Sequence, residues 1–192
     1  MILQKYESYK DSGVEWLGEI PKDWEVNHLK RFSNRVTDGA HTSPDLSSSD
    51  FPFLSVVDLK KSKLNFENCL YTSEKDYRQL LKNGCQPELN DVLFSKDGTI
   101  AETTVIEQKR EFVVASSLII IKPIIKKIFP KYMSYFLSSE FNKDKSYSSL
   151  KGAGLTRISI GNVQRLFFVS PSKPEQITIS NFLDKKTTQI DS

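Results

Sequence analysis

The chain has 192 residues, enough to bury a core in one domain of ordinary size with an extension, and cramped for two domains. Its 38% hydrophobic and 11% aromatic content is that of a folded protein, and no apolar run approaches the roughly 20 residues of a membrane span. Met1 to Lys10 is polar and carries Glu7, which does not read as a signal peptide, so a cytoplasmic location is expected. Formal charge is only +3, and Cys69 and Cys85 lack CxxC spacing or a nearby histidine, so idle thiols are expected rather than a zinc site.

Residues 1–24 form an arm of little periodicity, punctuated by Ser12-Gly13, Gly18 and Pro21. Trp16, Leu17 and Trp24 are too apolar for a free tail, so the arm is expected to lie against the body or a partner. The body is expected to span residues 25–170. Asn27 to Val36 is ambiguous between strand and helix, and Thr37-Asp38-Gly39-Ala40-His41-Thr42-Ser43-Pro44 is a loop by composition. Phe53 to Val57 reads as a buried strand, and Asn68 to Asn83 as a helix around Tyr77, Leu80 and Leu81 that Gly84 stops.

Asn90-Asp91 predicts a turn, Val92 to Ser95 a strand, and Asp97-Gly98 a tight hairpin-type turn. Thr103 to Ile106, Phe112 to Ala115 and Leu118 to Ile121 continue as short strands, which together suggest a compact, partly closed sheet. Beyond Pro123 and Pro130 the period changes, and Met133, Phe136, Leu137 and Phe141 fall at helical spacing. Lys151 to Arg157 is a glycine-bearing loop and Phe167 to Val169 a last strand.

Residues 171–192 read as a terminal helix. Ser172 can cap it, Glu175 stands as a capping-box partner and Pro174 occupies the first turn. Ile179, Phe182, Leu183, Thr187 and Ile190 share one stripe, while Asn181, Asp184, Lys185 and Asp191 keep the other faces polar. No terminator follows Ile190, so the last turn is either frayed or part of something longer, and the stripe needs a partner.

Charge is unevenly placed. Between Lys122 and Arg157 stand eight basic residues against only Glu140 and Asp144, interleaved with Tyr132, Tyr135, Phe141 and Tyr147. A phosphate-tracking surface needs such a field, although charge clusters also simply solvate helices. Gly152-Ala153-Gly154 lacks the third glycine and the preceding strand of a dinucleotide loop, and no nucleophile elbow accompanies Asp38 and His41. A sharper enzymatic pattern is Pro44-Asp45 followed by Asp58-Leu59-Lys60, similar to the two carboxylates and lysine of metal-dependent restriction nucleases. Against it stands the simpler alternative of a strand exit with Lys60, Lys61 and Lys63 in solvent.

Several pieces together resemble one family. The stretch Tyr6 to Glu25, then Asp38-Gly39-x-His41, Phe53-Leu54-Ser55-Val56-x-Asp58-Leu59, Asn90-Asp91-Val92-Leu93-Phe94-Ser95-x-x-Gly98-Thr99-Ile100 and Glu175-Gln176-x-x-Ile179-x-x-Phe182-Leu183-Asp184 closely resemble the specificity subunit of type I restriction-modification enzymes. Asn90 stands where that family usually has glycine. The resemblance implies an α+β fold: a mostly β target recognition domain with flanking helices, followed by a long spacer helix that is short here. In complete subunits the arrangement occurs twice, with the two long helices antiparallel between two DNA half-sites, and this chain corresponds to the first half.

The resemblance also implies the partners. Methyltransferase subunits dock on the assembly and methylate a flipped adenine with S-adenosylmethionine. A restriction subunit translocates and cleaves double-stranded DNA with ATP and Mg; no cofactor and no catalytic residue is expected in this chain. Within that frame Lys126, Lys127, Lys143, Lys145 and Lys151 are expected to contact phosphates. Base reading is expected from Asp38, His41, Lys96, Asp97, Thr156 and Arg157, although turn capping is an equal role for Asp38 and Asp97. Ile179, Phe182, Leu183 and Ile190 are expected to pack on a second helix, in another copy or a second half, and on methyltransferase. The competing expectations are the nuclease of Asp45, Asp58 and Lys60, and a protein-only scaffold.

Overall fold

The computed structural model describes residues 6–148 and 157–190. In chain order its elements are β1 (Tyr9–Asp11), β2 (Glu19–Pro21), β3 (Glu25–His28), β4 (Ser33–Asp38), β5 (Phe51–Leu54), β6 (Leu59–Lys60), β7 (Lys63–Leu64) and β8 (Leu70–Thr72). Then come α1 (Glu74–Lys82), β9 (Val92–Ser95), β10 (Thr103–Val105), β11 (Val113–Val114), β12 (Leu118–Pro123), α2 (Pro130–Leu137), α3 (Glu140–Ser148), α4 (Ile160–Arg165), β13 (Phe167–Ser170) and α5 (Lys173–Ile190). Three-residue 3-10 turns sit at Leu29–Arg31 and Val56–Asp58.

The apolar run of β12 explains the layering. An antiparallel sheet of order β10-β9-β12-β4 places β12 at its centre, and successive side chains of a strand point to opposite faces. Ile119 and Ile121, with Val92 and Phe94 of β9, bury against Tyr132, Met133 and Leu137 of α2, Val163 of α4 and Phe168 of β13. Leu118 and Ile120, with Leu93, turn to the other face and meet Leu54 of β5, Val114 of β11 and Phe112. A strand buried on both faces has no reason to alternate polar with apolar, and this one does not.

A second sheet, β11-β5-β8, forms the next layer, with β11 parallel to β5 and β8 antiparallel to it. Its Leu54 and Val114 face the first sheet, while Phe53 and Val113 face Tyr77 and Leu80 of α1. The order is therefore helices, four-stranded sheet, three-stranded sheet, helix, which is the expected α+β class. Helix α1 begins at Glu74 rather than at Asn68: Leu70–Thr72 pairs with β5 as β8, and the Ser73 hydroxyl then accepts the Asp76 N–H at 3.3 Å. Only its end, where the chain turns out through Gly84 at φ +76°, is as expected. Cys69 and Cys85 are both free thiols and buried.

The ambiguous stretch from Asn27 resolves into the end of β3, a 3-10 turn and β4. The Asp97-Gly98 turn is not a tight hairpin. Residues 96–102 make a longer connection between β9 and β10, closed at its base by the Ser95 N–H on the Glu102 carbonyl (2.8 Å) and the Ala101 N–H on the Ser95 carbonyl (3.1 Å). The buried Ser95 hydroxyl accepts the Glu102 N–H at 2.8 Å and donates to the Thr99 carbonyl, satisfying backbone groups that a two-residue turn would not leave open.

The arm and α5 meet the body. Trp16 stacks on Phe141 with ring centroids 3.4 Å apart, and the Trp24 indole N–H donates to Glu175 at 3.1 Å. Glu175, expected in a capping box, thus points at the arm, where the Tyr6 hydroxyl also donates to it. On α5 the fully buried positions are Gln176 and Ser180, and Ile179 packs on the core. Asp184, expected on a solvent face, accepts from the Tyr135 hydroxyl at 2.6 Å and pairs with Lys131 at 2.9 Å on α2. Burial there is won by hydrogen bonding as much as by apolar contact, so the buried face is rotated from the expected stripe. Phe182 (44% exposed) and Ile190 (81% exposed) are left facing out.

Candidate nucleic-acid interface

Four segments converge at one end of the four-stranded sheet, where β4 and β9 finish and β12 starts. The Gly39 N–H bonds the Leu118 carbonyl at 3.2 Å, the Lys96 N–H the Ser117 carbonyl at 2.9 Å, and the Ile158 N–H the Lys96 carbonyl at 3.1 Å. Asp97 and Arg157 form an isolated antiparallel bridge, and Ala40 and Ala115 a parallel one. Gly39 is required by this convergence: a β-carbon there would stand 2.0 Å from the Val114 carbonyl oxygen.

The side chains at this end form two acid-centred groups. Lys96 Nζ donates to Asp38 Oδ2 at 2.5 Å, both side chains being 8% exposed, and His41 Nε2 meets Asp38 Oδ1 at 3.0 Å. Burial by itself would raise the Asp38 carboxyl; the hydrogen bonds from Lys96 and His41 outweigh it and hold the pKa below the ordinary carboxylate value. An ionised carboxylate only accepts, so Nε2 carries the His41 proton, and Nδ1 has no partner among the described residues. The His41 side chain is 67% exposed. In the second group Arg157 grips Asp97 through two hydrogen bonds, each 2.7 Å long. That bond to Asp97 raises the guanidinium's pKa further, so it is charged at every accessible pH.

Of the residues expected to read bases, Asp38 and Lys96 are therefore withdrawn into a buried ion pair, while His41, Asp97 and Arg157 remain at the surface. Thr156 and Lys151 lie outside the described residues. The lysines expected on phosphates do not join this end. Lys126 and Lys127 are exposed in the connection from β12 to α2, past the far end of a six-residue strand and so roughly 20 Å away. They flank α5, whose Gln176 donates to the Lys127 carbonyl at 3.0 Å. Lys143 pairs with Glu140 at 2.9 Å on α3, and Lys145 lies 6.0 Å from the Trp16 ring and 5.6 Å from that of Phe141. A basic segment continuous in sequence is thus divided among three places, since Lys122 also pairs with Glu88 at 2.7 Å and Lys131 with Asp184.

The nuclease residues have structural employment. Asp58 Oδ2 accepts the Ser55 N–H at 2.8 Å and the Ser55 hydroxyl at 3.2 Å, capping a 3-10 turn. Asp45 accepts the N–H and hydroxyl of Ser47, bonds that lower its pKa, and Lys60 is exposed on β6. Among the described residues no three His, Cys, Asp or Glu side chains gather as a metal-holding group, and no helix is long and apolar enough to cross a membrane.

Sequence reasoning missed the role of Gln176. Its Oε1 accepts the Phe129 N–H at 2.8 Å, and its Nε2 donates to Lys127 O, Ser170 Oγ and Pro171 O at 3.0, 3.2 and 2.9 Å. Nothing in a helical period marks a glutamine as the residue that fastens the helix to its domain.

The fold recurs in solved structures. The HsdS subunit from Thermoanaerobacter tengcongensis superposes with a TM-score of 0.65 at 17% identity, over 95% of this chain and 41% of that one. The S subunit of a type I restriction-modification system from M. genitalium gives 0.58 at 13% identity, over 88% and 40%. A curated relative, assigned as type I restriction enzyme MjaX specificity subunit of Methanocaldococcus jannaschii, is 25% identical over 189 residues, 95% of this chain. The chain spans 44% of the length of that relative. The model of the type I restriction modification DNA specificity domain matches residues 21–192, in agreement with the resemblance carried by the sequence motifs, and the chain belongs to that family.

Proposed function

We propose that the chain is a non-catalytic DNA-recognition unit of a type I restriction-modification specificity subunit, reading one half-site and directing adenine methylation and restriction by partner subunits. The observation that supports it best is the exposed, donor-bearing end of the four-stranded sheet, where His41 and Arg157 stand on loops fixed by buried backbone and ion-pair contacts. Loops on a rigid sheet suit side-chain readout in a major groove. Lys126, Lys127, Lys143 and Lys145 serve as phosphate contacts, giving affinity and salt dependence rather than sequence information. The exposed Phe182 and Ile190 of α5 face a second helix, of another copy or a second half, and methyltransferase subunits dock beside it. The methyl donor S-adenosylmethionine, and ATP with Mg, are bound by those partner subunits.

Co-expression with a methyltransferase subunit, followed by mapping of methylated adenines, tests this function. A defined methylated motif is expected, palindromic if two copies of this chain assemble. Methylation that does not depend on the chain, or cleavage of DNA by the purified chain with magnesium, overturns it.

A further inference from the structure

The Asp97–Arg157 pair is oriented in a way that simple loop closure does not require. Arg157 meets Asp97 through Nε and Nη2, the two bonds being 2.7 Å each, and a guanidinium carries five N–H donors in one plane. Both N–H groups of Nη1 and the second of Nη2 therefore remain, and one from each nitrogen lines the terminal edge of the fork, which Asp97 does not occupy. That edge presents two parallel donors, the pattern that N7 and O6 of guanine accept in the major groove. The carboxylate sits behind the fork: the Asp97 side chain is 21% exposed and that of Arg157 is 47% exposed.

Backbone contacts fix the pair at both ends. Asp97 and Arg157 are bridged antiparallel, and the next residue, Ile158, is fully buried with its N–H on the Lys96 carbonyl. Lys96 in turn is held by Asp38. An arginine side chain free in solvent loses rotamer freedom when it docks on a base, whereas one already gripped by a carboxylate has lost much of it beforehand. Two acids thus back two exposed polar side chains at one end of the sheet, Asp97 behind Arg157 and Asp38 behind His41.

We propose that Arg157 reads a guanine, donating from Nη1 and Nη2 to O6 and N7, and that Asp97 is its positioning residue. The inference rests on the DNA-recognition function proposed above. A phosphate contact by the same side chain is the competing role, and it predicts a different pattern of losses.

Selection of randomised DNA duplexes by the whole chain, alone and bound to methyltransferase, tests the inference. The unmutated chain is expected to favour guanine at one position by roughly 5- to 150-fold. Arg157→Ala should abolish the preference at that position and leave the others in place. Arg157→Lys, which keeps the charge but not the fork, should weaken it, since an ammonium can still donate to O6 and N7 but loses the planar two-point grip on Asp97. Asp97→Ala should weaken the preference at the same position, and Asp97→Ala combined with Arg157→Ala should go no further than Arg157→Ala alone. Uniform weakening across all sequences in Arg157→Ala marks a phosphate contact and overturns the inference. So does a sequence preference in the unmutated chain that includes no guanine. If the unmutated chain selects no sequence at all, the DNA-recognition function falls first, and that failure is seen before any variant is made.

Discussion

Gln176 caps a helix to which it does not belong: its Oε1 accepts the N–H of Phe129, the residue at the head of α2, at 2.8 Å. In a capping box a Glu or Gln inside the helix supplies this bond, and here α5 supplies it from outside. The Nε2 end is consumed by the Lys127 and Pro171 carbonyls and the Ser170 hydroxyl, so one fully buried amide ties the start of α5 to both β13 and α2. Truncation strands several buried polar groups at once, and each stranded group costs about 1–3 kcal/mol. Gln176→Ala should therefore lose about 3 kcal/mol or more in urea unfolding, and Gln176→Leu should lose as much despite filling the volume. A loss within 0.5 kcal/mol, about the size of a neutral surface change, would refute this role.

The Asp38–Lys96 pair makes a second prediction, with a definite sign in pH. Hydrogen bonds from Lys96 and His41 outweigh burial and leave the folded carboxyl below its ordinary 3.8, so the native state favours the ionised form. The stabilisation is complete above the unfolded value and is lost as pH falls through the folded one, which places the loss below about pH 4. Asp38→Asn or Lys96→Met alone should destabilise by about 3–5 kcal/mol, because each leaves an uncompensated buried partner. The double variant should be less destabilised than the sum of the two and should show a shallower acid limb. Additive losses in a double-mutant cycle would show that the two side chains are not coupled.

How far the sequence disclosed the molecule depends on what kind of contact did the work. The run Leu118 to Ile121 declared a strand and Gly84 declared the end of α1, since apolar burial and helix termini leave local signatures, whereas the start of α1 was not legible because β8 occupies Leu70–Thr72. Asp38 and Lys96 are 58 residues apart and carry no mark of pairing, so both read as loop residues free to meet a ligand. Lys126 and Arg157 lie within one basic segment, yet they stand at opposite ends of the six-residue strand β12. On α5 the apolar period pointed to Phe182 and Ile190, while the face that docks is held through Gln176, Ser180 and Asp184. Polar burial depends on partners that only the folded chain assembles.

Gly39 offers a test of the convergence at the end of the sheet. A β-carbon would stand 2.0 Å from the Val114 carbonyl oxygen and 2.5 Å from that of Ala115, and both atoms are backbone. Neither can yield as a flexible side chain would, so Gly39→Ala must separate β4 from the segment after β11. The Ala40–Val114 hydrogen bond of 2.8 Å lies next to the clash and should break with it. A loss of about 2 kcal/mol or more in thermal unfolding is expected, at the upper end of ordinary single substitutions. Arg157-dependent DNA selection should fall in the same variant, because the loops at that end share these bonds. An unchanged melting temperature would show that the backbone there is not as close as described.

The exposed face of α5 supplies the last prediction. Ile179 packs on the core of the domain, whereas Phe182 is 44% and Ile190 81% exposed, and Lys185 to Ile190 are exposed throughout. A single apolar residue at a surface needs no explanation, but two on one helix about two turns apart fit a helix-in-groove or helix-pair contact. Substitution should therefore separate two effects along the same helix. Ile179→Asp places a charge against the core and should destabilise the domain by about 2–5 kcal/mol. Phe182→Asp and Ile190→Asp should leave unfolding unchanged and reduce association with a second copy or with methyltransferase, read by sedimentation. Leu183, half-buried between the two faces, should show both losses when changed to Asp. If Phe182→Asp and Ile190→Asp sediment as the unmutated chain does, in its own solution and in mixtures with methyltransferase, the outward face of α5 is not an assembly surface.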